Sequence, residues 1–184
     1  GSVFAADKGV GLFGERADVP LCVGIHFQPR PHLAGRRLDI LTAGGRQFYH
    51  LTFSPDGTVL AAGAGGSDGV TLWDVASWQP IAFLEGSAPP TFTPDGTLLA
   101  TGSGDAITLW DFPSLQQVAT LLGHSDGTFP MAFSPDGTRL ASAGGLGDDT
   151  VKLWDAATGR ETATLTGHAE YVTSMAFSPD GAQI

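Results

Sequence analysis

Three side chains of this chain have the types that a nucleophilic triad needs: the Ser142 hydroxyl, the His124 imidazole and the Asp148 carboxylate. In such a set the carboxylate orients the imidazole, and the imidazole takes the hydroxyl proton as the oxygen attacks. The same three groups can equally well hydrogen-bond one another as a buried structural network. Metal chemistry has less support. His124 and His168 are 44 residues apart, and His26, His32 and His50 have no Cys or His partner at ligand spacing. The Asp-Gly turns lack the dense alternation of a calcium loop. Gly63 to Gly69 and Gly102 to Gly104 are glycine-rich, but each joins two strand-like runs, and no helix follows to complete a phosphate cradle. No metal, cofactor or catalytic residue is expected.

The elements that must position these residues belong to a unit that recurs along most of the chain. Its cleanest copy runs from Leu122 to Asp155: Gly123-His124, then Phe133-Ser134-Pro135-Asp136-Gly137, then Leu140 to Ala143, a turn at Asp148-Asp149-Thr150, and Val151-Lys152-Leu153-Trp154-Asp155. Pro presets φ in the Pro-Asp-Gly turn and Gly accepts a positive φ there. Arg139 to Ala143 and Thr150 to Trp154 are apolar and β-branched, as buried antiparallel strands are. The unit is a β-meander. Its Phe-x-Pro-Asp-Gly corner recurs at Phe53, Phe92, Phe133 and Phe177, at intervals of 39, 41 and 44 residues. The Trp-Asp pair recurs at Trp73, Trp110 and Trp154, and Gly-His at His124 and His168.

A period near 40 residues of about four short strands, with Gly-His and Trp-Asp landmarks in fixed order, resembles the WD-repeat β-propeller family. The resemblance covers residues 48 to 181 well and 1 to 47 poorly. It implies an all-β fold of four-stranded antiparallel blades: degenerate blade material in residues 1–47, blades at 48–86, 87–123 and 124–167, and the start of a further, incomplete blade at 168–184. Carried over by position, the resemblance implies a structural hydrogen-bond network of His124, Ser142, Asp148 and Trp154, which accounts for the three residues without catalysis. Earlier copies depart from the pattern: Ser87 stands where the His would, and Ala62 where a Ser or Thr would. Those blades are expected to rely on apolar packing.

The ends are less regular. Asp7 to Gly14 matches Ser67 to Asp74 in kind, with Phe13 where Trp73 stands, and reads as the end of a worn blade, and Phe27-Gln28-Pro29 resembles a corner. From Phe27 to Phe53 is 26 residues, too short for a four-stranded blade, so either this blade is degenerate or residues are missing from the numbering. Two architectures stay open. One is a small closed ring of four or five blades whose two ends share a blade. The other is part of a larger ring of about seven.

Composition narrows the function classes. The formal charge is −10, much of it carried by Asp in Pro-Asp-Gly turns, Trp-Asp pairs and hairpins. The local basic cluster, Arg30, Arg36 and Arg37, does not make a nucleic-acid surface, so no nucleic acid is expected. No apolar run is long enough to cross a bilayer, so no membrane is expected either. The single Cys22 forms no internal disulfide and fits a reducing, cytoplasmic setting.

The function implied by the resemblance is a non-catalytic scaffold for protein or peptide partners, as a domain of a larger signalling or assembly protein. An enzyme using the central channel, and a structural propeller fragment that self-associates to complete its ring, are the alternatives. Candidate partner-binding residues are Trp78, Phe129, Asp126, Arg36 and Arg37. His124 to Phe129 and Gly144 to Asp149 are expected on one face. The turns carrying Trp78, Leu115 and Gly159 are expected on the other, where Trp78 is either packed against a neighbouring blade or a partner anchor.

Overall fold

The computed structural model describes residues 3–5, 10–13, 24–27, 48–64, 69–86 and 89–184, with side chains from residue 48 onward except that of Phe129. It divides into two compact units, Gly1–Phe48 and Tyr49–Ile184. In the first unit β1 (Val3–Ala5), β2 (Val10–Phe13) and β3 (Gly24–Phe27) form a three-stranded antiparallel sheet, with Val3 opposite Leu12 and Val10 opposite Phe27. Leu38 to Ala43 and the Arg30 to Arg37 insertion, including Arg36 and Arg37, lie outside the described residues, as do Cys22 and Ser87.

The remaining strands form three four-stranded meanders. The first is β4 (Phe48–Phe53), β5 (Val59–Ala64), β6 (Val70–Asp74) and β7 (Pro80–Leu84). The second is β8 (Thr91–Phe92), β9 (Leu98–Ser103), β10 (Ala106–Asp111) and β11 (Gln117–Leu122). The third is β12 (Thr128–Phe133), β13 (Arg139–Gly144), β14 (Val151–Asp155) and β15 (Glu161–Leu165). β8 has two residues where β4 and β12 have six. Pro89 and Pro90 precede it, and proline cannot donate to a ladder.

The core lies between sheets, because successive side chains of a strand point to opposite faces. Leu99 of β9 joins Val59, Ala61, Val70, Leu72 and Leu84 of the first sheet. Its neighbour Ala100 joins Ile107, Leu109 and Leu121 against Met131, Leu140 and Trp154 of the third. β5 is buried along its whole length, which explains its unbroken run of apolar and small residues. Each fully buried Leu or Ile, such as Leu60, Ile107 or Leu140, contributes about 1.5–3 kcal/mol by transfer from water.

The corners are built alike. In the third sheet Gly137 N–H donates to the Ser134 carbonyl at 2.8 Å and Arg139 N–H to Ser134 Oγ at 2.9 Å. Asp136 Oδ1 accepts from Thr138 N–H at 3.0 Å, and Gly137 takes φ 72°. Corners also stack on one another: Gly96 lies against Pro55, Gly137 against Thr93 and Pro94, and Gly181 against Pro135. Residues 166–184 form their corner, with Gly181 N–H on the Ser178 carbonyl at 2.8 Å, but contain no strand. The turn is local chemistry, whereas a strand exists only through a paired neighbour.

Candidate functional site

At one end of the third sheet the loop after β11 and the hairpin joining β13 to β14 meet over a buried network. His124 follows the last residue pair of β11, Ser142 is central on β13, Trp154 is on β14 and Asp148 is in the hairpin. His124 Nδ1 is 2.9 Å from Asp148 Oδ2 and its Nε2 is 2.7 Å from Ser142 Oγ, which is 2.8 Å from Trp154 Nε1. The proton positions follow from donor capacity. The indole N–H can only donate, so Ser142 Oγ accepts from it and donates to His124 Nε2. His124 Nδ1–H then faces the carboxylate. Asp148 Oδ2 also accepts from Ser125 N–H at 2.9 Å, and its Oδ1 accepts from Thr150 N–H at 3.1 Å and from the Thr150 hydroxyl. Burial alone would raise the Asp148 carboxyl, and it is the largest single influence. The bonds from the Thr150 hydroxyl, Ser125 N–H, His124 and Thr150 N–H together outweigh it, and hold the group well below the ordinary carboxylate range.

These distances are those of a Ser-His-Asp triad, but the surroundings do not let it act as one. Ser142 is 0% exposed and His124 5% exposed. The serine oxygen is already engaged by Trp154, so no substrate carbonyl can reach it. The arrangement is a structural clamp that ties a loop, a hairpin and two strands together.

The other two sheets carry reduced versions. In the second, Trp110 Nε1 donates to Thr101 Oγ1 at 2.9 Å, and Thr101 Oγ1 donates to the Glu85 carbonyl at 2.9 Å. A backbone carbonyl thus takes the acceptor role, and this sheet does not rest on apolar packing alone. In the first, Ala62 offers no hydroxyl, and Trp73 Nε1 is buried without a hydrogen-bond partner among the described residues.

Above the clamp the two loops form one face. Gly145 N–H donates to the Asp126 carbonyl, Gly127 N–H reaches Asp105 Oδ1 at 3.4 Å, and Thr128 Oγ1 reaches the Gly104 carbonyl at 3.4 Å. Asp105, Asp126 and Asp149 are exposed here. Leu146 is 80% exposed at the hairpin tip, and sequence reasoning passed over it. The signal was present: Leu146 is an apolar residue inside a Gly-Gly-x-Gly-Asp-Asp turn, with no alternating partner to place it in a core. Phe129 lies in β12, its side chain outside the described atoms. No group of three or more metal-ligating side chains is found among the described residues.

The opposite end carries the corners and the turns after each Trp-Asp, joined by Val75 N–H to the Thr58 carbonyl, Phe112 to Thr97 and Ala156 to Thr138, at 2.8–2.9 Å. Trp78 and Leu115 adopt φ 56° and 58°, where Gly159 takes 69°. Leu115 packs on the cluster shared with the first sheet, and Gly159 sits against Ala119 and Leu121 of the second, so this position leans on the preceding sheet. Trp78 is half-buried and engaged within the chain.

Comparison with known proteins adds lineage to this geometry. The family model described as "WD domain, G-beta repeat" matches residues 36–74, 85–111, 115–155 and 159–184. Among curated proteins the chain is 34% identical over 103 residues to Periodic tryptophan protein 2 of Arabidopsis thaliana, covering 53% of this chain and 11% of that protein. It is 31% identical over 123 residues to WD repeat-containing protein VIP3 of the same plant, covering 57% of this chain and 38% of that one. It is 35% identical over 97 residues to Protein groucho of Drosophila melanogaster, covering 49% and 13%. The chain thus spans well under half the length of these relatives. Among solved structures it superposes on a chain of a mitotic checkpoint complex with TM-score 0.65 at 28% identity, over 75% of this chain and 43% of that chain. It superposes on the RRP9 WD40 repeats with TM-score 0.65 at 24% identity, over 71% and 42%.

Proposed function

The chain belongs to the WD-repeat family of β-propellers, and from that membership we propose that it is a non-catalytic scaffold that docks a protein or peptide on the loop face above the third blade. The exposed Leu146 carries this reading. A large apolar side chain at the tip of a hairpin, whose base is locked by the His124, Asp148 and Thr150 bonds, is an anchor held on a rigid support. The carboxylates of Asp105, Asp126 and Asp149 around it favour a partner segment pairing an apolar residue with Lys or Arg. A relative named as WD repeat-containing supports the scaffold role, as part of a larger signalling or assembly protein. A single cysteine supports a reducing, cytoplasmic setting.

The test is site-directed photocrosslinking in the native cell, with the crosslinker placed at Leu146 in one variant and at exposed Ser114, on the opposite end, in another. Discrete protein adducts from position 146 that are weakened by Asp126→Lys, with few from position 114, are expected. Adducts confined to position 114 would overturn the assignment of the face, and adducts at neither would overturn the scaffold reading.

A further inference from the structure

The chain contains six Asp-Gly bonds, beginning at Asp56, Asp68, Asp95, Asp126, Asp136 and Asp180. In this pair the glycine nitrogen is unhindered, and it can close a five-membered imide on the aspartate side chain. Four of these bonds lie in blade corners, and the corner opposes the reaction in two ways. The glycine N–H donates to the carbonyl of residue 54, 93, 134 or 178 at 2.8–2.9 Å, which holds the nitrogen in the turn. The carboxylate is held by the N–H two residues on, at 3.0 Å in every copy. These bonds, with those from the Ser or Thr hydroxyls, keep all four carboxyls below their ordinary range and so ionised, whereas ring closure must expel water from the acid form. Asp68 lies outside the described residues.

Asp126-Gly127 has less of this protection. The Asp126 side chain is exposed and has no hydrogen-bond partner among the described residues. Gly127 takes φ 67°, and its N–H reaches Asp105 Oδ1 at 3.4 Å, longer than any glycine bond in the corners. Among the described residues the nitrogen is therefore held only by this one long bond.

We propose that Asp126-Gly127 is a site of spontaneous backbone rearrangement, where the Gly127 nitrogen attacks the Asp126 side-chain carboxyl carbon. The N–C bond forms, the amide proton passes to solvent, and the carboxyl hydroxyl leaves as water. The resulting succinimide takes up one water. Opening at the side-chain carbonyl restores aspartate, and opening at the main-chain carbonyl gives isoaspartate with no net change in mass. In isoaspartate the former Asp126 main-chain carbonyl, which accepts Gly145 N–H, becomes a free carboxylate, and one methylene enters the backbone. The strut between the two loops is then remade. The chemistry is independent of the docking reading, and any change in partner binding rests on it.

Folded chain and urea-denatured chain would be incubated in oxygen-18 water at mildly acidic pH and then digested. Isoaspartate would be located by electron-transfer fragmentation and by the label it gains. Denatured chain is expected to react at all six bonds to similar extents. Folded chain is expected to react at Asp126 roughly tenfold or more above any corner, since a corner must first open locally. Ser134→Ala removes the hydroxyl on Asp136 and should raise isoaspartate there in a chain that still melts cooperatively. Asp126 reacting no faster than the corners of the folded chain, or no rise at Asp136 in that variant, would overturn the proposal. Rearranged chain that crosslinks its partner normally would overturn only the link to docking.

Discussion

Replacing Ser142 by alanine measures the worth of the clamp. Its Oγ stands 2.7 Å from His124 Nε2 and 2.8 Å from Trp154 Nε1, so the change leaves two buried polar atoms without a partner and only a small void. A buried polar group left unpaired costs about 1–3 kcal/mol, and the two are coupled through one atom, so the expected loss is about 2–4 kcal/mol. The family of blades supplies its own controls, because positions 62, 101 and 142 are Ala, Thr and Ser. Ser142→Thr keeps a hydroxyl, as Thr101 does, and should cost less than about 1 kcal/mol. Ala62→Ser offers Trp73 Nε1 the acceptor it lacks among the described residues and should stabilise by about 0.5–1.5 kcal/mol. Urea unfolding, followed by tryptophan fluorescence and circular dichroism, reads all three as midpoint shifts at constant m-value. A Ser142→Ala loss below about 0.5 kcal/mol, the scale of an ordinary surface change, would refute the reasoning. So would an Ala62→Ser variant that loses as much as Ser142→Ala.

Trp154→Ala should cost about 3–5 kcal/mol, as for other buried aromatics, and Trp78→Ala much less, since Trp154 is 2% exposed and Trp78 half-buried; equal losses of melting temperature would defeat this assignment. Asp148 titrates lower in the folded chain than in the unfolded one, so below about pH 4 the unfolded chain takes up its proton first. Its stabilisation is therefore complete above that pH and lost as the pH falls, and Asp148→Asn should flatten the acid limb of a stability-versus-pH curve. Gly159→Ala places a Cβ 3.0 Å from Leu121 Cδ2 at a φ of 69°, and should lower stability by about 1–2 kcal/mol in the same urea titration.

What could be read in the sequence was whatever is decided within a few residues. The corner at Phe133 to Gly137 announces itself because Pro, Asp and Gly each do a local job, and its repeats give the period and hence the blade. The clamp residues were found through the order of the landmarks around them. The acceptor in the second blade was not, because the Glu85 carbonyl is backbone and carries no signature of its residue type. The role of Leu115 was equally hidden: a non-glycine residue at φ 58° reaches back to a cluster built from strands distant in sequence. Around residue 177 the corner was legible and forms, while the strands expected beside it do not, since pairing depends on a neighbour that no local motif specifies.

The contact of each corner with the one before it also bears on how the blades assemble. The Gly181 corner is seated on Pro135, with its carbonyl accepting from Arg139 and Phe177 lying 5.4 Å from that guanidinium. A corner closes on itself within six residues, on the timescale of a short loop, and then docks on a completed blade. A corner seated in this way fixes the pitch of the two strands that leave it, which shortens the loop their pairing must close. The preceding blade thus offers each corner a fixed seat, from Pro55 under Gly96 to Pro135 under Gly181.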